Sequence, residues 1–315
     1  METQKPKIGM YVKRSFGEKF SASFDFIKEH WKLLLKYTTY LLLPLCLIQA
    51  LGLNGLSGMM EMSDMNSSVM PTEVNLMMSF WGYYGLYMLC VIVGSVLLAS
   101  LVYALIRTYN EREERLQGIT LGMLRPLLLR NVKRMFVLFL FTLLLLMLVM
   151  FVIVALAVVA LPSATLSSVV LFFIILLFIA CIIPLLLWAP VYLFEDITVY
   201  DAFKKAFRLG FATWGGVFLI YLLMGLIGGI LAGVSLMPWR IVTMVKAIFA
   251  DSGGSEATVS FGYSFATYLL AIIQAFSVYL SMIFVYVGLA YQYGHASEKL
   301  DNVMVESDID NFDKL

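Results

Sequence analysis

Four groups of residues in this chain could do chemistry, and each is weak. Glu195 and Asp196 are adjacent acids beside an apolar run, and general acid–base work uses pairs of acids. Neighbours on a helix do not face one another, so the pair reads instead as a helix-to-loop boundary. His30 and His295 are the two histidines. Neither stands in HExxH or another ligand spacing, so they predict no zinc site, and two histidines alone build no histidine-rich iron site. Met59, Met60, Met62, Met65 and Met70 offer thioethers suited to Cu(I), but without regular spacing or a nearby Cys or His. Cys46, Cys90 and Cys181 all fall in apolar runs, form no CxxC, and read as small apolar packers. No G-x-S-x-G elbow or P-loop occurs. The expectation is a protein without a catalytic constellation, metal or cofactor.

The elements around these residues are membrane elements. Of 315 residues, 61% are hydrophobic and 14% charged, against roughly 25% charged in soluble domains. Six apolar blocks exceed the ~20 residues a helix needs to cross a bilayer. They lie near 34–56, 77–106, 136–161, 168–193, 215–237 and 261–290. The predicted fold is an all-α integral membrane protein. Residues 1–33 form an N-terminal segment, 34–293 a six-span membrane domain, and 294–315 an acidic tail carrying Asp301, Glu306, Asp308, Asp310 and Asp313, expected to be solvated, with a basic partner such as the chain's own cytoplasmic loops as the less favoured alternative. The polar start METQKPKIGMYVKRSFGEKF is no cleavable signal. Asn66-Ser67-Ser68 matches a glycosylation acceptor, which matters only in a eukaryotic secretory pathway.

Charge predicts orientation. All but Arg240 and Lys246 of the 22 Lys and Arg fall on one side of the six blocks. The basic side faces the cytoplasm, so both termini are expected inside. The block cores hold no Asp, Glu, Lys, Arg or His. Ion pumps and proton-coupled carriers usually keep such a charge, so active transport is disfavoured.

A repeat explains the charged stretches. At an offset of 183 residues, Ser15 meets Thr198, Glu18 meets Asp201, Phe20 meets Phe203, Phe24 meets Phe207 and Trp31 meets Trp214. Each hydroxyl–carboxylate pair has the spacing of a capping box. At an offset of 78, Thr120, Arg130 and Phe136 meet Thr198, Arg208 and Trp214, and Pro126 is expected to break or delay this copy's helix. The unit is an amphipathic helix followed by a transmembrane hairpin, three times over, in parallel. Phe20, Phe24, Ile27 and Trp31 form one apolar stripe; Ala202, Phe203, Ala206 and Phe207 form another, with Lys204, Lys205 and Arg208 opposite. Such helices can lie in the interface with their basic side among anionic headgroups.

The stretch WAPVYLFEDITVYDAFKKAFRLGFATWGGVF at 188–218 resembles the membrane domain of bacterial glycerophosphoryl diester phosphodiesterases and related six-helix inner-membrane proteins. The shared pattern is a Pro-containing helix end, an acidic turn, a basic amphipathic helix and a Gly- or Trp-marked entry to the next span. The resemblance implies a bacterial inner-membrane protein. The family's hydrolase is a separate soluble domain that nothing in this chain matches, so hydrolysis does not carry over.

Candidate contacts for headgroups or a protein partner are therefore Arg125, Arg130, Lys133, Arg134, Lys204, Lys205 and Arg208. Gly225, Gly229 and Gly233 form a small-xxx-small stripe for close helix packing, within the chain or with a second copy. Gln274, Ser277 and Ser281 share one face and could line a polar cavity, although interhelical hydrogen bonding is the commoner use. Pro44, Pro184 and Pro190 are expected to kink their helices. Two functions are compatible with this pattern: a non-enzymatic protein that binds membrane lipid or serves a partner, or a carrier for a lipid or other apolar solute. No nucleic-acid partner is implied.

Overall fold

A computed structural model describes residues 6–64, 73–160, 164–251 and 261–303. Their order is α1 (Phe16–Asp64), α2 (Glu73–Glu111), α3 (Leu121–Ala160), α4 (Ala164–Leu185), α5 (Trp188–Phe194), α6 (Val199–Ala212), α7 (Trp214–Asp251) and α8 (Phe261–Leu300). Among the described residues there is no strand. Six stretches are long and apolar enough to cross a membrane: α1, α2, α3, α4 continued by α5, α7 and α8. The protein is an all-α, multi-pass membrane protein. Most of Met60–Met70, Asn66-Ser67-Ser68 and the tail acids after Asp301 lie outside the residues described side chain by side chain.

The caps are dictated by the sequence. Ser15 N–H donates to Glu18 Oε2 (2.7 Å) and Glu18 N–H to Ser15 Oγ (3.4 Å), a closed capping box. Asp201 N–H donates to Thr198 Oγ1 (3.2 Å), and that hydroxyl donates to Asp201 Oδ2 (2.6 Å). Met123 N–H donates to Thr120 Oγ1 (3.4 Å). All three hydroxyls of the repeat therefore open helices.

Beyond the caps the three copies diverge. Among the described residues only the third has a separate short helix, α6, which ends at Thr213 before α7. In the first, the amphipathic stretch runs into the span as one 49-residue helix. In the second, α3 continues through Pro126. Proline there forfeits one ladder bond, to Gly122, at an exposed helix end, and the remaining turns carry the helix on. α7 likewise continues through Pro238.

The chain forms two compact units. The first comprises residues 1–30, 100–224 and 285–315. In it α3 packs on α4 and α5, and α6 lies against α4 and α5. Most of the α3 span is uncovered by protein, with Leu144, Met147, Leu148 and Phe151 exposed. Hydrocarbon is the solvent suited to such a face. The N-terminal stretch of α1 buries Lys19, Ala22, Ser23 and Phe26. Phe20 and Phe24, whose rings meet at 4.9 Å, are only half-buried. The aromatic stripe thus lies beside the packed face.

The second unit comprises residues 31–99 and 225–284. Its polar centre is the Tyr279 hydroxyl, 2.7 Å from Gln49 Oε1 and 3.0 Å from the Cys90 carbonyl. Gly94 makes room for it, since a Cβ at 94 would fall 2.3 Å from that oxygen. Gly94→Ala is expected to destabilise the protein by about 1–3 kcal/mol, the usual cost of overpacking. The check is the thermal midpoint of the detergent-purified protein; an unchanged midpoint would show that Tyr279 yields freely.

Candidate functional site

The connection from α5 to α6 gathers the two adjacent acids and four of the seven candidate basic residues. α5 ends at Phe194, with Glu195 as its extended cap, leaving carbonyls without helical partners. Arg134, reaching from α3, supplies donors. Its Nη2 bonds the carbonyls of Tyr192, Glu195 (2.8 Å) and Ile197 (3.0 Å), and its Nη1 bonds Asp196 Oδ1 (3.1 Å). The guanidinium also lies 4.1 Å from the centre of the Tyr192 ring. The fork geometry of arginine is what permits this many contacts from one side chain.

The two adjacent acids are separated by role. Asp196 faces Arg107 (3.7 Å), Arg130 (3.3 Å) and Arg134 (3.1 Å). It is largely exposed, so each pair contributes only about 0.2–1 kcal/mol. Glu195 is more enclosed. Its Oε2 is 2.8 Å from Lys205 Nζ, and its Oε1 accepts from the Tyr293 hydroxyl at 2.6 Å. Tyr293 stacks on Phe194 at 5.6 Å, which fixes that hydroxyl.

Lys205 bridges two acids, Glu195 and Asp301 (3.0 Å). Arg208 reaches the other oxygen of Asp301 at 2.6 Å. Burial alone would pull the Lys205 ammonium down, but its two carboxylates outweigh that and its pKa is raised. A raised lysine contributes its stability at all pH values below its ordinary pKa and loses it only as pH rises through the folded value. This clamp therefore stays closed through neutral pH. Asn302, left-handed at φ 48°, lies just past the end of α8, and Lys13 Nζ donates to its Oδ1 at 2.8 Å.

This arrangement corrects part of the expected binding face. Arg130, Arg134, Lys205 and Arg208 are engaged in ion pairs with the chain's own acids. Sequence separation hid those acids. Arg125, Lys133 and Lys204 remain exposed without an ion pair among the described residues, Lys204 lying 4.3 Å from the Tyr200 ring centre.

The glycine stripe also needs correction as an in-chain contact. Gly225, Gly229 and Gly233 have no neighbour within 4 Å of where a Cβ would be. The close approach is at Gly228, where a Cβ would fall 2.6 Å from the Ser281 carbonyl oxygen. That contact also divides the expected polar face. Ser281 packs there and donates to Val278 O (2.7 Å), Gln274 is buried with its Oε1 unpartnered, and Ser277 is half-buried.

The histidines are packing groups. His30 sits edge-on to Phe26 and Tyr109, each at 5.1 Å. His295 Nδ1 accepts from the Arg14 backbone N–H at 3.0 Å. The residues that sequence reasoning passed over are Lys19 and Gln292, joined at 2.9 Å in the interior of the first unit. One signal was available: Lys19, Ala22, Ser23 and Phe26 recur at helical spacing, a small-residue face beside the more conspicuous aromatic one. No family model, curated protein or solved structure matches this chain.

Proposed function

We propose that this is a non-enzymatic protein of the bacterial inner membrane, with both termini cytoplasmic, whose basic helix ends hold anionic lipid headgroups. The observation that carries the proposal is the set of exposed cations, Arg125, Lys133 and Lys204, without an ion pair among the described residues and beside exposed apolar side chains. Met123, Leu129 and Phe136 accompany the first two on α3; Tyr200 and Phe211 accompany Lys204 on α6. Long basic side chains with apolar stems suit the boundary between headgroups and hydrocarbon. Glu195 and Asp196 are spent on ion pairs, which favours binding over acid–base chemistry. The resemblance of residues 188–218 to membrane domains of the phosphodiesterase family supports the same location.

The test is charge reversal at Arg125, Lys133 and Lys204 together. Each cation near an anionic surface is worth about 1 kcal/mol. The triple variant should therefore lower the preference for phosphatidylglycerol over phosphatidylcholine by up to about a hundredfold. Native mass spectrometry of protein extracted from mixed nanodiscs reads that ratio. An unchanged ratio, with the protein folded, would sink the proposal.

A further inference from the structure

The interior of the first unit holds a set of donors with too few acceptors. Lys19, in the first turns of α1, is 5% exposed. Its ammonium has three protons to give, yet among the described residues its one hydrogen bond goes to a neutral partner, Gln292 Oε1. Among the described residues no carboxylate forms an ion pair with it. Gln292 is fully buried, and its Nε2 has no acceptor. Gly216, at the start of α7, closes on the same point. A Cβ there would fall 3.0 Å from Gln292 Nε2 and 3.2 Å from Lys19 Nζ.

The surroundings are basic as well. His295 accepts the Arg14 N–H on Nδ1. Its neutral ring then carries its proton on Nε2, as a donor. Lys19, Lys299 and Arg14 all lie within electrostatic reach of that ring. A buried ammonium facing only a neutral amide is unfavourable, and a buried amide N–H without an acceptor adds to the deficit. A partner that completes this set of donors is anionic and rich in acceptor oxygens. Lysine is a common point-charge binder of phosphate.

We propose that Lys19 and Gln292, beside Gly216, bind one phosphate group, carried by a lipid headgroup or free in solution. The site is separate from the surface cations Arg125, Lys133 and Lys204 and does not rest on their role.

The experiment uses the full chain, purified in phosphate-free buffer, with thermal unfolding monitored by tryptophan fluorescence. Inorganic phosphate should raise the midpoint saturably where chloride at equal ionic strength does not, if the group is free. Nanodiscs of phosphatidylglycerol, against phosphatidylcholine, should do so if it is lipid-borne. Lys19→Met should weaken the response by at least about tenfold, the effect of losing one charged hydrogen bond. Gly216→Ala should weaken it with every donor intact, by crowding the site, and serves if Lys19→Met does not fold. Glu113→Gln, an exposed change outside both sites, should leave the response unchanged. The proposal is overturned if neither probe gives a saturable shift, or if Lys19→Met and Gly216→Ala respond as the parent does.

Discussion

Replacing Arg134 by Met is expected to lower the thermal midpoint of the detergent-purified protein by on the order of 10 °C. Three backbone carbonyls, at Tyr192, Glu195 and Ile197, would lose their donor, and Asp196 would lose one of its three cations. Breaking an enclosed, multiply bonded arginine costs about 3–5 kcal/mol, and each kcal/mol moves the midpoint of a large domain by about 2–4 °C. Arg134→Lys should recover little of the loss, because an ammonium cannot reproduce the planar fork. Lys133→Met, one residue away and exposed, is the control and should shift the midpoint little. Equal behaviour of the 133 and 134 variants would refute the assignment of Arg134 as the group that holds the α5–α6 connection.

The second large effect is at Gly210, where α6 meets α4. A Cβ at 210 would fall 2.5 Å from Pro184 Cα and 2.9 Å from the Pro184 carbonyl oxygen. Both are backbone atoms of a proline in the last turn of a helix, so neither can swing aside. Gly210→Ala should displace α6, with a cost of about 1–3 kcal/mol or more. Helix propensity acts the other way, favouring alanine by about 1 kcal/mol. The sign of the change therefore decides the matter. Gly225→Ala, which meets open space, supplies the comparison and should be neutral or stabilising. A stabilised Gly210→Ala variant would show that α6 does not rest on Pro184.

Much of the architecture was legible in the sequence because its causes are local. Six apolar runs become six spans, since length and hydropathy alone set what can cross a bilayer. Ser15, Thr120 and Thr198 open helices because a hydroxyl placed before the first turn meets a free N–H. The second tier was not legible. Arg134 and Asp196 are 62 residues apart, and Arg208 and Asp301 are 93 apart. Nothing in a helical period reveals which cation will find an acid across such a distance. Which glycine meets a helix of the same chain was hidden for a related reason. Gly225, Gly229 and Gly233 share a face, but the partner helix chose Gly228, and a difference of one residue turns a helix by about 100°. The amphipathic stretch of α1 misled through salience, as four large apolar residues obscured the packed face around Lys19.

The clamp at Lys205 has a temporal side. One of its acids, Glu195, is made ten residues earlier, and the other, Asp301, only after every span of the chain. During synthesis Arg208 and half of the Lys205 pairing stay open while α7 and α8 are laid down. Their positive charge is thus free to help set the direction of those two later spans. Once α8 is in place, Asp301 neutralises the same charges and closes the assembly. The same two cations are left open by the order of synthesis and are paired only once the last helix is made.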